Sequence, residues 1–132
     1  MKRENLGVLR GFIRETLSEV AVEALSAINK GRGAITVGLT EGREAWEDVQ
    51  TGLDVDCFQV YVRLRNRIEK ELKLRVSFHY EGEGGGSPVK NPDIIMVVDE
   101  FGGTKYAKYG FRERAWSVCS FYDPNVFRCL SW

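Results

Sequence analysis

The sequence predicts an α+β fold in which one long N-terminal helix packs on an antiparallel β-sheet of about five to six strands with long hairpins. Apolar residues recur at helical spacing in the first part of the chain, later segments alternate apolar and polar residues, and glycine and proline clusters separate those segments. The chain has 132 residues, of which 43% are hydrophobic, and we predict one domain over residues 1–132.

The helix is predicted over residues 4–30. Its apolar residues, such as Leu9 and Ile13, recur at steps of three and four, which places them on one face of a helix. Lys30 and Gly31 predict its end, because a cation suits the last turn and glycine readily adopts the left-handed conformation that often follows a helix.

The strands are predicted from alternating apolar and polar residues. Residues 55–65 fit two patterns, because Phe58 and Val60 alternate with polar residues, while Cys57 and Tyr61 also lie on one helical face. β-branched and aromatic residues dominate this segment, which favours a strand. The predicted strands are 34–39, 55–65, 72–80, 94–98, 115–122 and 126–132.

Two features of the later strands give more specific expectations. Residues 94–98 are apolar on both faces, so we expect a central strand covered by the long helix, and the glycine-rich segment 81–91 predicts a flexible hairpin tip. The last two strands are predicted to pair around Pro124, which would place Cys119 opposite Cys129.

Composition limits the compartments and partners that we expect. The 19 basic and 19 acidic residues balance, so no global field attracts nucleic acid or anionic lipid, although residues 40–56 are acidic and residues 61–75 are basic. No apolar run approaches the roughly 20 residues of a membrane-spanning helix, and no signal for export is expected. Three cysteines indicate free thiols. We therefore expect a protein of a reducing compartment such as the cytoplasm, without membrane contact.

Patterns for metal and nucleotide sites are missing from the sequence. Cys57, Cys119, Cys129 and His79 could form a zinc site, but no CxxC or HxxxH spacing supports one. The apolar strand that ends in Asp99 is not accompanied by the GxxxxGK[ST] loop that nucleotide hydrolases use to bind phosphate. We therefore predict no catalytic residue, no metal ligand and no cofactor.

A metal-dependent hydrolase remains as an alternative. Such chemistry needs carboxylates that converge on one cation, and the candidates are Asp93, Asp99 and Glu100. Their spacing is not diagnostic, and solvated loop acids are the favoured explanation for them.

A second alternative is a small module that binds RNA or single-stranded DNA through the basic and aromatic segment 105–116. Its cations could follow a phosphate backbone while bases stack on its rings, and outward cations of neighbouring strands would extend the surface. The same residues suit a protein contact. The predicted interaction residues are Arg63, Arg65, Lys73, Arg75, Tyr106, Tyr109, Phe111, Arg112, Arg114, Trp116 and Trp132.

The segment Leu9-Arg10-Gly11-Phe12-Ile13-Arg14-Glu15-Thr16-Leu17 opens an amphipathic helix that precedes a small antiparallel sheet with long hairpins. In this layout the chain resembles small neck and tail-completion proteins of tailed bacteriophages. The resemblance implies a ring-forming structural subunit whose helix and hairpins contact adjacent copies, and the opposite charges of 40–56 and 61–75 would suit head-to-tail packing. The leading prediction is therefore a non-enzymatic assembly subunit, such as a phage neck or tail component, that acts through homo-oligomeric contacts and binds other structural proteins.

Overall fold

The computed structural model describes residues 3–34, 36–39, 49–80, 86–102, 116–125 and 128–131. Two helices precede most of the strands in these residues. The elements are α1 (Arg3–Asn29), a 3-10 turn (Arg32–Ala34), β1 (Thr36–Leu39), β2 (Val49–Thr51), α2 (Gly52–Arg67), a π-helical turn (Ile68–Leu72), β3 (Val76–Tyr80), β4 (Gly86–Ser87), β5 (Ile94–Gly102), β6 (Trp116–Asp123) and β7 (Arg128–Ser131).

The strands form two sheets. β1 and β2 make a small antiparallel pair, and the main sheet has the order β4-β3-β5-β6-β7. In the main sheet β3 and β5 run parallel, and the other neighbours run antiparallel. Four of its strands have at least four residues, and β4 at the edge has two. The α+β class and the long N-terminal helix are confirmed, whereas the sheet is mixed and has fewer full strands than the sequence predicts.

The hydrophobic core lies in layers. α1 packs on α2, and α2 packs on the central strand β5, so α2 is the helix that covers most of the sheet. Fully buried residues of α2 such as Cys57 and Tyr61 belong to the same cluster as Met96 of β5 and Phe121 of β6. The expectation that the long helix covers the central strand is therefore wrong. No helix in the described part of the chain is long and apolar enough to cross a bilayer.

The segment predicted as a strand over residues 55–65 is α2. The buried positions Cys57, Val60, Tyr61, Leu64 and Ile68 recur at steps of three and four. The helical spacing of apolar residues continues past residue 65 to Ile68, whereas the alternation of apolar and polar residues stops at Leu64. The longer apolar pattern determines the structure, because a helix buries all of these side chains on one face.

The predicted hairpin between the strands at 72–80 and 94–98 is also wrong. β4 folds back on β3 as an antiparallel neighbour, with Phe78 opposite Ser87. The chain then returns to the other side of β3, where β5 runs parallel to it. Gly86 has a φ of 110°, and a Cβ atom there would lie 2.1 Å from the Phe78 carbonyl oxygen, so this close pairing requires glycine.

The two C-terminal strands pair antiparallel as predicted, but in a different register. Tyr122 lies opposite Cys129, and Phe121 lies opposite Ser131. Cys119 lies opposite Val98 of β5 on its other side. The predicted side-by-side placement of Cys119 and Cys129 is therefore wrong, because Asp123 pairs with Arg128 and the pairing is centred between residues 125 and 126 instead of on Pro124.

Candidate functional site

The C-terminal ends of β3 and β5 mark one edge of the main sheet. Because the two strands are parallel, with Tyr80 opposite Val98, they end on the same side. In open sheets that contain parallel strands, ligands bind beyond the carboxyl ends of those strands. Asp99 lies just after Val98, is partly buried, and precedes an irregularity in the pairing with β6 that ends at Gly102.

The N-terminus of α2 lies toward the same edge. Only residues 73–75 separate the π-helical turn from β3, so the helix ends where β3 begins and runs back along it. Consistent with this direction, the Phe58 ring lies 4.2 Å from the ring of Tyr80, the last residue of β3. Asp54 comes one turn before Phe58, or about 6 Å further along the helix axis. Asp54 therefore lies near the edge where β3 and β5 end.

Two carboxylates of this helix terminus have defined structural partners. Asp54 is buried, and its Oδ2 accepts hydrogen bonds from the Thr51 backbone N–H at 2.6 Å and from the Thr51 hydroxyl at 2.8 Å. Asp56 forms a bidentate ion pair with Arg32, whose Nη2 lies 2.9 Å from Oδ1. This hydrogen bond and the charge of Asp56 raise the pKa of Arg32. Both carboxylates help to hold α2 in place.

Asp99 is linked to the core by two hydroxyl groups. The Tyr61 hydroxyl lies 2.6 Å from Ser117 Oγ, and Ser117 Oγ donates to the Asp99 carbonyl oxygen at 3.2 Å. Tyr61 is fully buried, and its burial raises the pKa of its phenol well above the usual value. The phenol therefore keeps its proton at neutral pH and can donate a hydrogen bond.

A depression of about 470 Å³ lies along the sheet, and Asp99 is among its lining residues. His79 and Ser120 also line it, on the face opposite the buried Met96 and Phe121. Ser77 Oγ lies 2.9 Å from His79 Nε2, the separation of a nucleophile and its base. However, Ser77 is only 4% exposed and also accepts a hydrogen bond from the Val89 N–H, so its hydroxyl is inaccessible to a substrate.

Asp93, Asp99 and Glu100 do not form one site. Asp93 precedes β5 and binds the Arg75 backbone N–H at 2.8 Å, while Asp99 and Glu100 lie toward the other end of that strand. Six residues of strand separate Asp93 from Asp99 by about 20 Å. Asp93 accepts hydrogen bonds from both the backbone N–H and the side chain of Arg75, and these bonds lower the pKa of Asp93. Within the described ranges, no three His, Cys, Asp or Glu side chains are grouped to hold a metal ion.

The predicted interaction residues lie on different elements. Arg63 and Arg65 belong to α2, so they do not adjoin Lys73 and Arg75 as outward positions of neighbouring strands. Arg63 pairs with Glu19 of α1 at 3.7 Å, and Arg65 with Ser87 and Glu69.

Arg75 and Trp116 also belong to the predicted interaction residues, and they lie on other parts of the main sheet. Arg75 pairs with Asp93, and Trp116 at the start of β6 is 53% exposed. An interaction surface that includes these residues stays a prediction. The remaining members lie outside the described residues, namely Tyr106, Tyr109, Phe111, Arg112, Arg114 and Trp132.

Cys57 and Cys119 are buried free thiols. Burial raises the pKa of Cys119 to about 12, and the thiolate is the reactive form of cysteine. We therefore expect the native Cys129→Ser variant to show no reaction with Ellman's reagent at pH 8 and to release two equivalents of chromophore in guanidinium chloride. Rapid labelling of the native variant would contradict the burial of these thiols.

The fold is similar to part of a known enzyme. The chain aligns with the crystal structure of Leishmania major fructose-1,6-bisphosphatase in holo form, with a TM-score of 0.61 and 16% sequence identity, over 93% of this chain and 36% of that chain. This chain thus spans about a third of the length of its structural neighbour. At this identity the likeness shows the fold alone. No protein-family model matches the sequence, and no curated protein matches it.

This likeness corrects the leading functional prediction. A non-enzymatic assembly subunit was predicted because the sequence shows no catalytic pattern, but nearly the whole chain shares its fold with part of a hydrolase. The assembly-subunit prediction is therefore wrong. The layout resemblance to phage neck and tail proteins, and the predicted homo-oligomer, stay predictions.

Proposed function

We propose that this domain takes part in the hydrolysis of a phosphate ester, with Asp99 as a carboxylate of the reaction centre. The observation that carries the proposal is the position of Asp99, at the C-terminal edge of the only parallel pair among the described strands. The fold supports the reaction class, because the structural neighbour is by name a phosphatase of a sugar bisphosphate.

The charge of Asp99 determines what else this centre needs. A carboxylate repels a phosphate dianion, so the two groups come together only with a cation between them. The proposal therefore includes a divalent cation held in part by Asp99, which would neutralise phosphate charge and lower the pKa of a bound water. The described residues supply no complete ligand set. Glu81 and Glu83 follow β3 in the sequence but lie outside those residues, and the proposal does not depend on them.

The surroundings of Asp99 suit a reaction centre. Its partial burial lowers the local dielectric constant, which strengthens its interaction with a cation. Asp99 also lines the depression of about 470 Å³ along the sheet, which has room for a cation and a phosphate group.

The test is phosphate release by wild type, Asp99→Asn and Asp93→Asn with magnesium or manganese. The substrates are fructose 1,6-bisphosphate, p-nitrophenyl phosphate and a panel of other sugar phosphates. Asn keeps the shape of Asp99 but removes the negative charge, so we expect release to fall by about 100-fold or more. Asp93→Asn makes the same change at the opposite end of β5 and should retain the wild-type rate.

Two results would contradict the proposal. One is the absence of phosphate release by the wild-type protein from every ester with either cation. The other is an Asp99→Asn variant as active as Asp93→Asn, which would show that Asp99 does not belong to the reaction centre.

A further inference from the structure

The hydrogen bonds between Tyr61, Ser117 and Asp99 have one direction. Ser117 Oγ donates its single proton to the Asp99 carbonyl oxygen at 3.2 Å. The Tyr61 hydroxyl, 2.6 Å from Ser117 Oγ, must then be the donor in the first bond. The two bonds form a relay from a fully buried side chain of α2, across β6, to the backbone of β5.

The relay reaches β5 where its regular pairing with β6 stops. Asp99 lies opposite Val118, but the next registered pair is Gly102 with Trp116, so β5 contains one extra residue there. Such a bulge changes the direction of neighbouring side chains and leaves ladder hydrogen bonds unmade. Ser117 lies between the two registered partners on β6, and its side chain supplies a bond to the β5 backbone at this point.

The close approach of Gly102 to Trp116 supports a defined bulge geometry. A Cβ atom on Gly102 would lie 2.1 Å from the indole Nε1 of Trp116, so only glycine allows this indole position. The relay thus fixes the beginning of the bulge, and the contact between Gly102 and Trp116 fixes its end. Asp99 is the last regularly paired residue before the irregularity, and its carboxylate direction depends on the backbone that the relay holds.

We infer that Tyr61 and Ser117 are positioning residues that orient the Asp99 carboxylate through its own backbone carbonyl. This inference rests on the proposed function, because it assigns Tyr61 and Ser117 a role only if Asp99 belongs to the reaction centre. A phenylalanine would fill the same volume as the Tyr61 ring. The substitution Tyr61→Phe therefore removes the hydrogen bond to Ser117 and keeps the packing. Groups that orient a reacting carboxylate act on the rate more than on substrate binding.

The experiment compares Tyr61→Phe, Ser117→Ala and Ser117→Thr with a control, Ser18→Ala. Ser18 also donates its hydroxyl to a backbone carbonyl, that of Arg14 at 3.1 Å, but on the exposed side of α1. We expect Tyr61→Phe and Ser117→Ala to lower kcat by about 10- to 100-fold with KM little changed. Ser117→Thr keeps the hydroxyl group and should recover most of the rate, and Ser18→Ala should match wild type.

A second readout separates this inference from the proposed function. The carbonyl ¹³C chemical shift of Asp99 reports its hydrogen bond without any catalysis, and it should move in Tyr61→Phe and Ser117→Ala but not in Ser18→Ala. If wild type is inactive while this shift moves, the proposed function fails and the hydrogen-bond relay stands without its catalytic role. If wild type is active while kcat and the shift are unchanged in both relay variants, the positioning inference is overturned and the proposed function stands.

Discussion

Replacing Phe121 with alanine is expected to lower the free energy of unfolding by about 3–5 kcal/mol, as for other buried phenylalanines. Phe121 is 0% exposed, lies opposite Met96 of the central strand, and belongs to the core between the sheet and α2. Removing its ring loses the transfer free energy of the apolar atoms and leaves a cavity that close-packed neighbours cannot fill. Urea unfolding followed by circular dichroism measures the change.

The matched control is Val97→Ala on the other face of β5. Val97 is 40% exposed, because it points away from α2, and its truncation should cost less than about 1 kcal/mol. The difference between the two variants tests which face of the sheet is covered. Equal losses would contradict the placement of the core on the α2 side alone.

Replacing Gln59 with proline is expected to cost about 3 kcal/mol or more, because proline in a helix interior removes a hydrogen bond and collides with the preceding turn. Gln59 lies within α2 and its side chain is exposed, so the loss would come from the backbone. Thermal unfolding of Gln59→Pro and Gln59→Ala measures the effect, and the alanine variant should stay within about 0.5 kcal/mol of wild type. A proline variant as stable as wild type would mean that residue 59 is not inside a helix.

α1 was predictable because one periodicity runs through the whole segment without competition. α2 was not, because alternation and helical spacing coexist around Phe58 and Val60. The local signal that could have decided the question is Thr51 followed three residues later by Asp54, a spacing that marks a helix N-terminus when an apolar run follows. The capping geometry of these two residues agrees with that signal.

The parallel pairing of β3 and β5 could not be predicted from residue patterns. A glycine-rich segment between two apolar strands normally indicates a hairpin, and the two residues of β4 are too few to give a strand pattern. Yet β4 occupies the antiparallel position beside β3, which leaves β5 the opposite side. The strand order therefore depends on a pairing that only the folded chain reveals.

The candidate site was predictable only in part. The sequence draws attention to Asp93, Asp99 and Glu100, but spacing along a strand does not say which acid lies at a functional edge. The direction of β5 in the sheet distinguishes the two acids, because Asp93 lies before the strand and pairs with Arg75, whereas Asp99 lies where β3 ends. Tyr61 and Ser117 are 56 positions apart, so their hydrogen bond has no signature in the sequence.

The two-residue strand β4 also bears on how the protein behaves at high concentration. An outer strand with a long row of open N–H and C=O groups recruits strands of other molecules and starts aggregation. β4 covers the open side of β3 at Phe78 and His79, and Pro88 directly after it has no N–H to donate. This edge therefore offers a second molecule very little backbone to pair with, and aggregates that grow by strand addition should not begin here.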